Sequence, residues 1–221
     1  MLERFLKDPG SAITHFIGAL AALGAGVPLI VFAALKQRWW GVTAIVVFFV
    51  SIVLLYTAST VYHSLDISAR VNKILRKLDH MMIFVLIAGS YTPICVMALH
   101  NFRGYLLLGL VWGAAAAGMV LKACWINCPD WLSSLIYMAM GWASVSALHG
   151  LYVSMSGPEF WLLVAGGIVY SIGGVLYAFE EKCTNFGFKY FGMHEIFHLF
   201  VMGGSACHFV VMYMLALSPA I

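Results

Sequence analysis

The chain has little charge. Asp, Glu, Lys and Arg make up 10% of its 221 residues, where a soluble domain carries about 25%. Hydrophobic residues make up 63% and mean hydropathy is +0.95. These values exclude an ordinary water-soluble domain and place the chain in a lipid bilayer, so the usual estimate of domain number from length does not apply. Cysteines are few and show no pairing pattern. Cys124 and Cys128 are loosely spaced with no second Cys/His pair nearby, and they read as free thiols in a reducing compartment. Cys95, Cys183 and Cys207 suggest no bridge either. No internal repeat and no low-complexity segment breaks the chain, and the connections are short. Residues 1–221 are therefore expected to form one compact membrane domain.

What is present is a series of seven apolar runs, at 11–35, 41–65, 80–99, 105–122, 132–153, 160–179 and 194–217. Each is near or above the length of about 20 residues that a helix needs to span. The first is too long for a signal-peptide core and six more follow it, so it is not expected to be cleaved. The fold class expected is an all-α membrane protein of seven transmembrane helices. Basic residues set the orientation. Arg4, Lys7, Arg70, Lys73, Arg76, Lys77, Lys122, Lys182 and Lys189 fall on one side, against Lys36, Arg38 and Arg103 on the other. That asymmetry predicts a cytoplasmic N-terminus and an outside C-terminus. Trp39, Trp40, Trp125, Trp131 and Trp161 stand at span ends, as an aromatic belt requires. The 65–78 connection alternates Val71, Ile74, Leu75 and Leu78 with Arg70, Lys73, Arg76 and Lys77. It reads as a short amphipathic helix on the inner leaflet or as a solvated basic loop. Gly18, Ala22 and Gly26 in the first run and Gly109, Gly113 and Ala117 in the fourth form small-residue ridges. Gly166, Gly167, Gly173 and Gly174 mark close packing in the sixth. Pro28 and Pro93 predict a kink and a bend.

Polar residues inside the runs carry the functional argument, because ionisable groups in a span are costly unless paired. Residues 193–202 read MHEIFHLFVM. His194 and His198 are four apart and share one helix face, a spacing suited to one metal ion, with zinc leading. Ser59 and His63 close the second run at the same spacing, and Asp79 opens the third. For Ser59 and His63 the plain alternatives are a serine bonded to its own helix and an interfacial histidine. For Asp79 the plain alternative is a helix cap. His15 beside Thr14, His80 next to Asp79, and His149 each read as structural. His208 lies about 15 Å beyond His198 along the helix, too far to share an ion. The alternation of spans nevertheless places Ser59, His63, Asp79, His194 and His198 at one depth. Three histidines and a water complete a zinc site with an open position. Asp79 is placed to orient the water and take its proton, and Ser59 to donate to an oxyanion. Hydrolysis of an amide or ester whose apolar part lies in the bilayer fits this set.

The ordered set S-x-x-x-H, Asp, H-x-x-x-H resembles the progestin and adipoQ receptor superfamily. The short N-terminus and the THFIG, YHS, LDH and SYTP stretches resemble its bacterial hemolysin III branch. The resemblance covers essentially the whole chain. It implies seven helices with the N-terminus inside and location in the bacterial cytoplasmic (inner) membrane. It also implies Zn2+ held by His63, His194 and His198, with Asp79 and Ser59 nearby. Relatives link the family to ceramidase activity, to lipid homeostasis and to hemolysin-like cytolysis. The chain lacks the long N-terminal extension of animal receptors, which argues against a hormone-receptor role. The partners expected are membrane lipids and a lipid amide or fatty-acyl ligand, with no nucleic acid. Three classes remain open: a zinc-dependent, ceramidase-like lipid hydrolase at the inner leaflet; a non-enzymatic lipid-state sensor or permeabilising protein with a structural zinc; and a metalloprotease reading His194-Glu195-x-x-His198 with Glu195 as base. The last is disfavoured because Glu195 points about 100° from His194 and no third ligand follows at the right depth.

Overall fold

In lipid every backbone N–H and C=O needs an internal partner, and a helix supplies one within each span. The computed structural model, which describes residues 6–179 and 191–219, is accordingly helical. Its elements are α1 (Pro9–Lys36), α2 (Trp39–Ser64), α3 (Ala69–Pro93) running into a π-helical turn (Ile94–Leu99), α4 (Phe102–Cys124), α5 (Asp130–Gly141), α6 (Leu148–Ser154), α7 (Gly157–Ala178) and α8 (Met193–Leu217). A 3-10 segment (Trp142–Ala147) joins α5 to α6, and the two form one span. Seven spans long and apolar enough to cross a membrane result, and among the described residues no strand spans. Arg4, Glu180, Glu181, Lys182, Cys183 and Lys189 lie outside the described residues.

The spans pack in a ring, α1 on α2, α2 on α3, α3 on α4, α5 on α7, α7 on α8 and α8 back on α1. α3 is the most enclosed and also touches α5 and α8. Apolar side chains such as Phe16, Leu35, Leu110 and Trp161 face outward, where lipid covers them. Because the ring alternates direction, the end of α2 and the starts of α1, α3 and α8 lie at one end of the bundle.

Local chemistry explains the boundaries. Ser68 Oγ accepts from the Val71 N–H and starts α3. Asn101 Oδ1 accepts from the Gly104 N–H and starts α4. The Glu159 carboxylate accepts from the Ser156 N–H at the start of α7. Pro93 lacks an N–H and crowds the preceding turn, and the helix widens to a π turn there instead of simply bending.

Two expectations are corrected. The basic 65–78 connection contains no separate amphipathic helix. From Ala69 it is the first turns of α3, because Ser68 caps the helix there and no glycine or proline interrupts it before Gly89. Asp79 therefore lies well inside α3 and caps nothing. The small-residue face of α4 is also not the expected one. Gly109 and Gly113 have open space around them, and Ala117 is exposed. The buried stripe is Gly104, Leu107, Val111, Ala115, Gly118 and Lys122. The ridge on α1 packs as expected, with Gly18 and Gly26 facing Tyr56 and Phe49 of α2.

A Cβ on Gly118 would clash with Cε1 of Phe84, which is fully buried on α3. Gly118→Ala should destabilise the bundle by about 1–3 kcal/mol, read as a lower unfolding midpoint in detergent. Gly109→Ala should leave the midpoint unchanged or slightly raised.

Candidate metal centre

Three imidazoles meet at the end of the bundle that holds the N-termini of α1, α3 and α8. His63 closes α2, and His194 and His198 occupy the first two turns of α8. One ring nitrogen from each lies within 4.8 Å of the others. His63 and His198 are buried and His194 is half-buried. The Nε2 atoms of His63 and His194 are 3.2 Å apart.

The neighbours of the rings set which nitrogens carry protons. Asp8 Oδ2 is 3.1 Å from His63 Nδ1. A carboxylate only accepts, so that nitrogen is the N–H and Nε2 presents its lone pair. The hydrogen bond from His63 holds the Asp8 carboxyl below its usual range, against partial burial and with help from Lys7. Thr14 donates its hydroxyl hydrogen to Ser11 O at 2.9 Å and lies 3.1 Å from His198 Nδ1. Its single hydrogen is used, so His198 donates from Nδ1 and its Nε2 is bare. Two nitrogens with free lone pairs in a dry site are the donor chemistry of a cation site, and the second-neighbour bonds orient them as metal-binding histidines are oriented. The cluster could hold a metal ion.

Ser59 and Asp79 line one cavity with His194 and His198. Ser59 is buried and its Oγ has no hydrogen-bond partner among the described residues, so it is not bonded to its own helix. Asp79 is buried, and its Oδ2 lies 3.4 Å from Nδ1 of His80. One residue along a helix is a turn of about 100°, which separates the His80 and Asp79 side chains at their Cβ atoms. The His80 ring turns back toward Asp79, and it links three spans. Nδ1 lies 2.9 Å from Arg76 O, Nε2 lies 3.3 Å from the Tyr177 hydroxyl, and Tyr177 donates to Asp130 at 2.9 Å. The cavity, about 180 Å³, continues between apolar residues such as Leu86, Leu151 and Phe160 and reaches His208.

His208 is not part of the cluster. Its Nε2 lies 3.2 Å from Leu163 O, with Gly166 leaving room for the ring. His15 stacks on His198 with centroids 3.5 Å apart, and neither of its nitrogens has a partner among the described residues. Glu195 caps α8 by accepting from the Gly192 N–H at 2.7 Å, and it accepts from Ser11 Oγ at 2.5 Å. One oxygen caps α8 and the other ties it to α1, which counts against Glu195 as the base of the protease reading. Cys95, Cys124, Cys128 and Cys207 are free thiols.

Asp8 was missed from the sequence. It belongs to the lead before α1, and no periodicity places a lead residue beside the end of α2. Lys122 was read as a topology marker, yet it is buried and donates to Ser133 Oγ at 2.5 Å.

Residues 4–209 match the sequence family described as Haemolysin-III related. The chain belongs to the haemolysin-III-related family. Among relatives of this haemolysin-III-related protein, "Hemolysin-3 homolog" of Bacillus subtilis (strain 168) is 41% identical over 92% of this chain and 91% of its own. "Hemolysin-3" of Bacillus cereus is 38% identical over 97% of this chain and 95% of its own. "Adiponectin receptor protein" of Drosophila melanogaster is 22% identical over 93% of this chain and 50% of its own. Seven apolar helices and these relatives make the chain an integral membrane protein of the hemolysin III type.

Asp8→Asn keeps the size of the side chain but weakens the bond to His63. It should lower metal affinity by about 10–100-fold, measured by competition with a chromophoric chelator. Glu195→Gln retains an oxygen acceptor for the cap and should leave that affinity unchanged.

Proposed function

We propose that this haemolysin-III-related protein is a zinc-dependent hydrolase of lipid amides or esters, acting at the cytoplasmic leaflet of the bacterial inner membrane. The observation that carries this reading is the shared cavity. A buried serine hydroxyl without a partner among the described residues and a buried carboxylate line the same apolar space as two of the three clustered histidines.

The donor set fits zinc. Three neutral imidazoles leave a fourth position open. At a zinc–nitrogen distance of about 2.0–2.1 Å, tetrahedral donors stand about 3.3 Å apart, close to the 3.2 Å between His63 and His194 Nε2. His63, His194 and His198 would hold the ion. A zinc there supplies Lewis acidity and makes water nucleophilic at neutral pH.

The chain's own residues do the rest. Asp8 and Thr14 orient His63 and His198 through their Nδ1 hydrogens. The Asp79 carboxylate accepts a proton from the attacking water and returns it to the leaving amine or alcohol. Ser59 Oγ donates its hydrogen to the oxyanion developing on the substrate carbonyl. The apolar length of the cavity takes the acyl chain and keeps bulk water out. The excess of Lys and Arg at this end of the bundle supports a cytoplasmic N-terminus, and hence chemistry at the inner leaflet.

A second reading comes from the name "Hemolysin-3" carried by a relative. On it, the protein senses lipid state or permeabilises membranes, and a metal only stabilises the helix ends. Asp79→Asn separates the two. On the hydrolase reading it lowers turnover of a short-chain ceramide or acyl ester by about 10²–10⁴-fold, while zinc content by mass spectrometry stays at the wild-type level. His194→Ala should lose both zinc and turnover. Hydrolysis unchanged by Asp79→Asn, or absent from zinc-loaded wild type, would sink the enzyme reading.

A further inference from the structure

We propose that the protein binds a phosphate group in a separate cleft at the same end of the bundle, between Lys7, Lys73 and Arg76. The cleft has a volume of about 270 Å³. Four segments build it: the lead before α1 with Lys7, the end of α2 with Tyr62, the first turns of α3 with Lys73 and Arg76, and the α4–α5 connection with Asn127.

The charges in this cleft are compensated only in part. Among the described residues, no acidic one lines it. Among the described residues, Lys73 and Arg76 form no ion pair. They stand three apart on α3 and so share a face, where like charges repel. Lys77, one residue on, is accounted for differently, because its ammonium donates to Ala123 O. Lys7 is held at the cleft by Tyr62, its Nζ lying 3.8 Å from the ring centroid. Its one carboxylate neighbour is Asp8, at 3.5 Å, and the same Asp8 oxygen already serves His63 at 3.1 Å.

The orientation rule accounts for how many basic residues collect at this end. It does not account for Lys7 and α3 delivering three cations into one concavity with no acid among its described lining residues. A bound anion resolves that repulsion. A planar guanidinium fork beside two ammonium point charges matches the several oxygens and the charge of a phosphate group. Asn127 adds an amide at the rim. The phosphate comes either from a phospholipid headgroup, since the cleft opens where the spans end, or from solution. The inference stands apart from the hydrolase reading, because it uses neither the histidine cluster nor the cavity.

The test uses the full chain, purified in detergent and stripped of phospholipid. The probes are inorganic phosphate and a short-chain phosphatidylglycerol, with a short-chain diacylglycerol as the phosphate-free control. Lys73→Gln/Arg76→Gln is compared with Lys36→Gln/Arg38→Gln, which removes the same charge from the opposite end. Binding is read by titration calorimetry, and lipid retention by native mass spectrometry. Wild type should bind a phosphate probe and not diacylglycerol. Lys73→Gln/Arg76→Gln should lose affinity by about tenfold or more, while the other pair is unchanged. Tighter binding of phosphatidylglycerol than of phosphate assigns the site to a lipid headgroup, and the reverse assigns it to a soluble anion. Equal losses in the two pairs would reduce the effect to general electrostatic attraction and overturn the site. Absence of binding by wild type would overturn it as well.

Discussion

Two imidazole nitrogens 3.2 Å apart, one of them the bare Nε2 of His63, need a cation or a hydrogen between them. The end of the bundle is arranged around that constraint. Asp8 reaches back from the lead to one ring, and Thr14 of α1 meets another. Glu195 locks the start of α8 to Ser11 of α1 while capping its own helix. These contacts bring the N-termini of α1 and α8 and the C-terminus of α2 to one point. Because the same bonds specify which nitrogens are bare, the packing of the helix ends and the donor chemistry of the centre are one arrangement.

Asp79 reaches the site by another route. It sits on α3, the most enclosed span, and is braced by His80. His80 in turn meets Tyr177 of α7, and Tyr177 bonds Asp130 at the start of α5. Tyr137 of α5 also donates to His80 O at 3.2 Å. A carboxylate inside a membrane span is costly when mobile and unpaired, and this network spreads its support over three spans. The residues around it are chiefly apolar, so the cavity joins a polar end to a long greasy one. On the hydrolase reading, that shape suits an amphipathic ligand whose reactive group stays near the membrane surface while its chain lies in the core.

The small residues show how close packing serves the site. Gly18 and Gly26 bring α1 against Tyr56 and Phe49 of α2, the same pair of helix ends at which Asp8 meets His63. Gly173 lets α7 approach Phe200 of α8, next to the histidine pair. On the lipid-facing side of α4, Gly109 and Gly113 have no such task.

Much of this was legible in the sequence, because a bilayer leaves few options. Scarce charge and seven apolar runs of spanning length dictate seven helices, since each must satisfy its own backbone. The i, i+4 spacing put His194 and His198 on one face, and the alternation of spans put His63 and Asp79 at the same depth. Helical periodicity and depth are one-dimensional properties, and the chain carries them openly. What lies sideways is not one-dimensional. The sequence could not say which face of α4 is buried, that His80 turns toward Asp79, or that Lys122 is covered. Nor could it say that Glu195 is spent on a cap, or that Asp8 and Lys7 fold back on the end of α2. Those outcomes depend on helix rotation and on contacts between residues far apart in the chain, and only the packed bundle decides them.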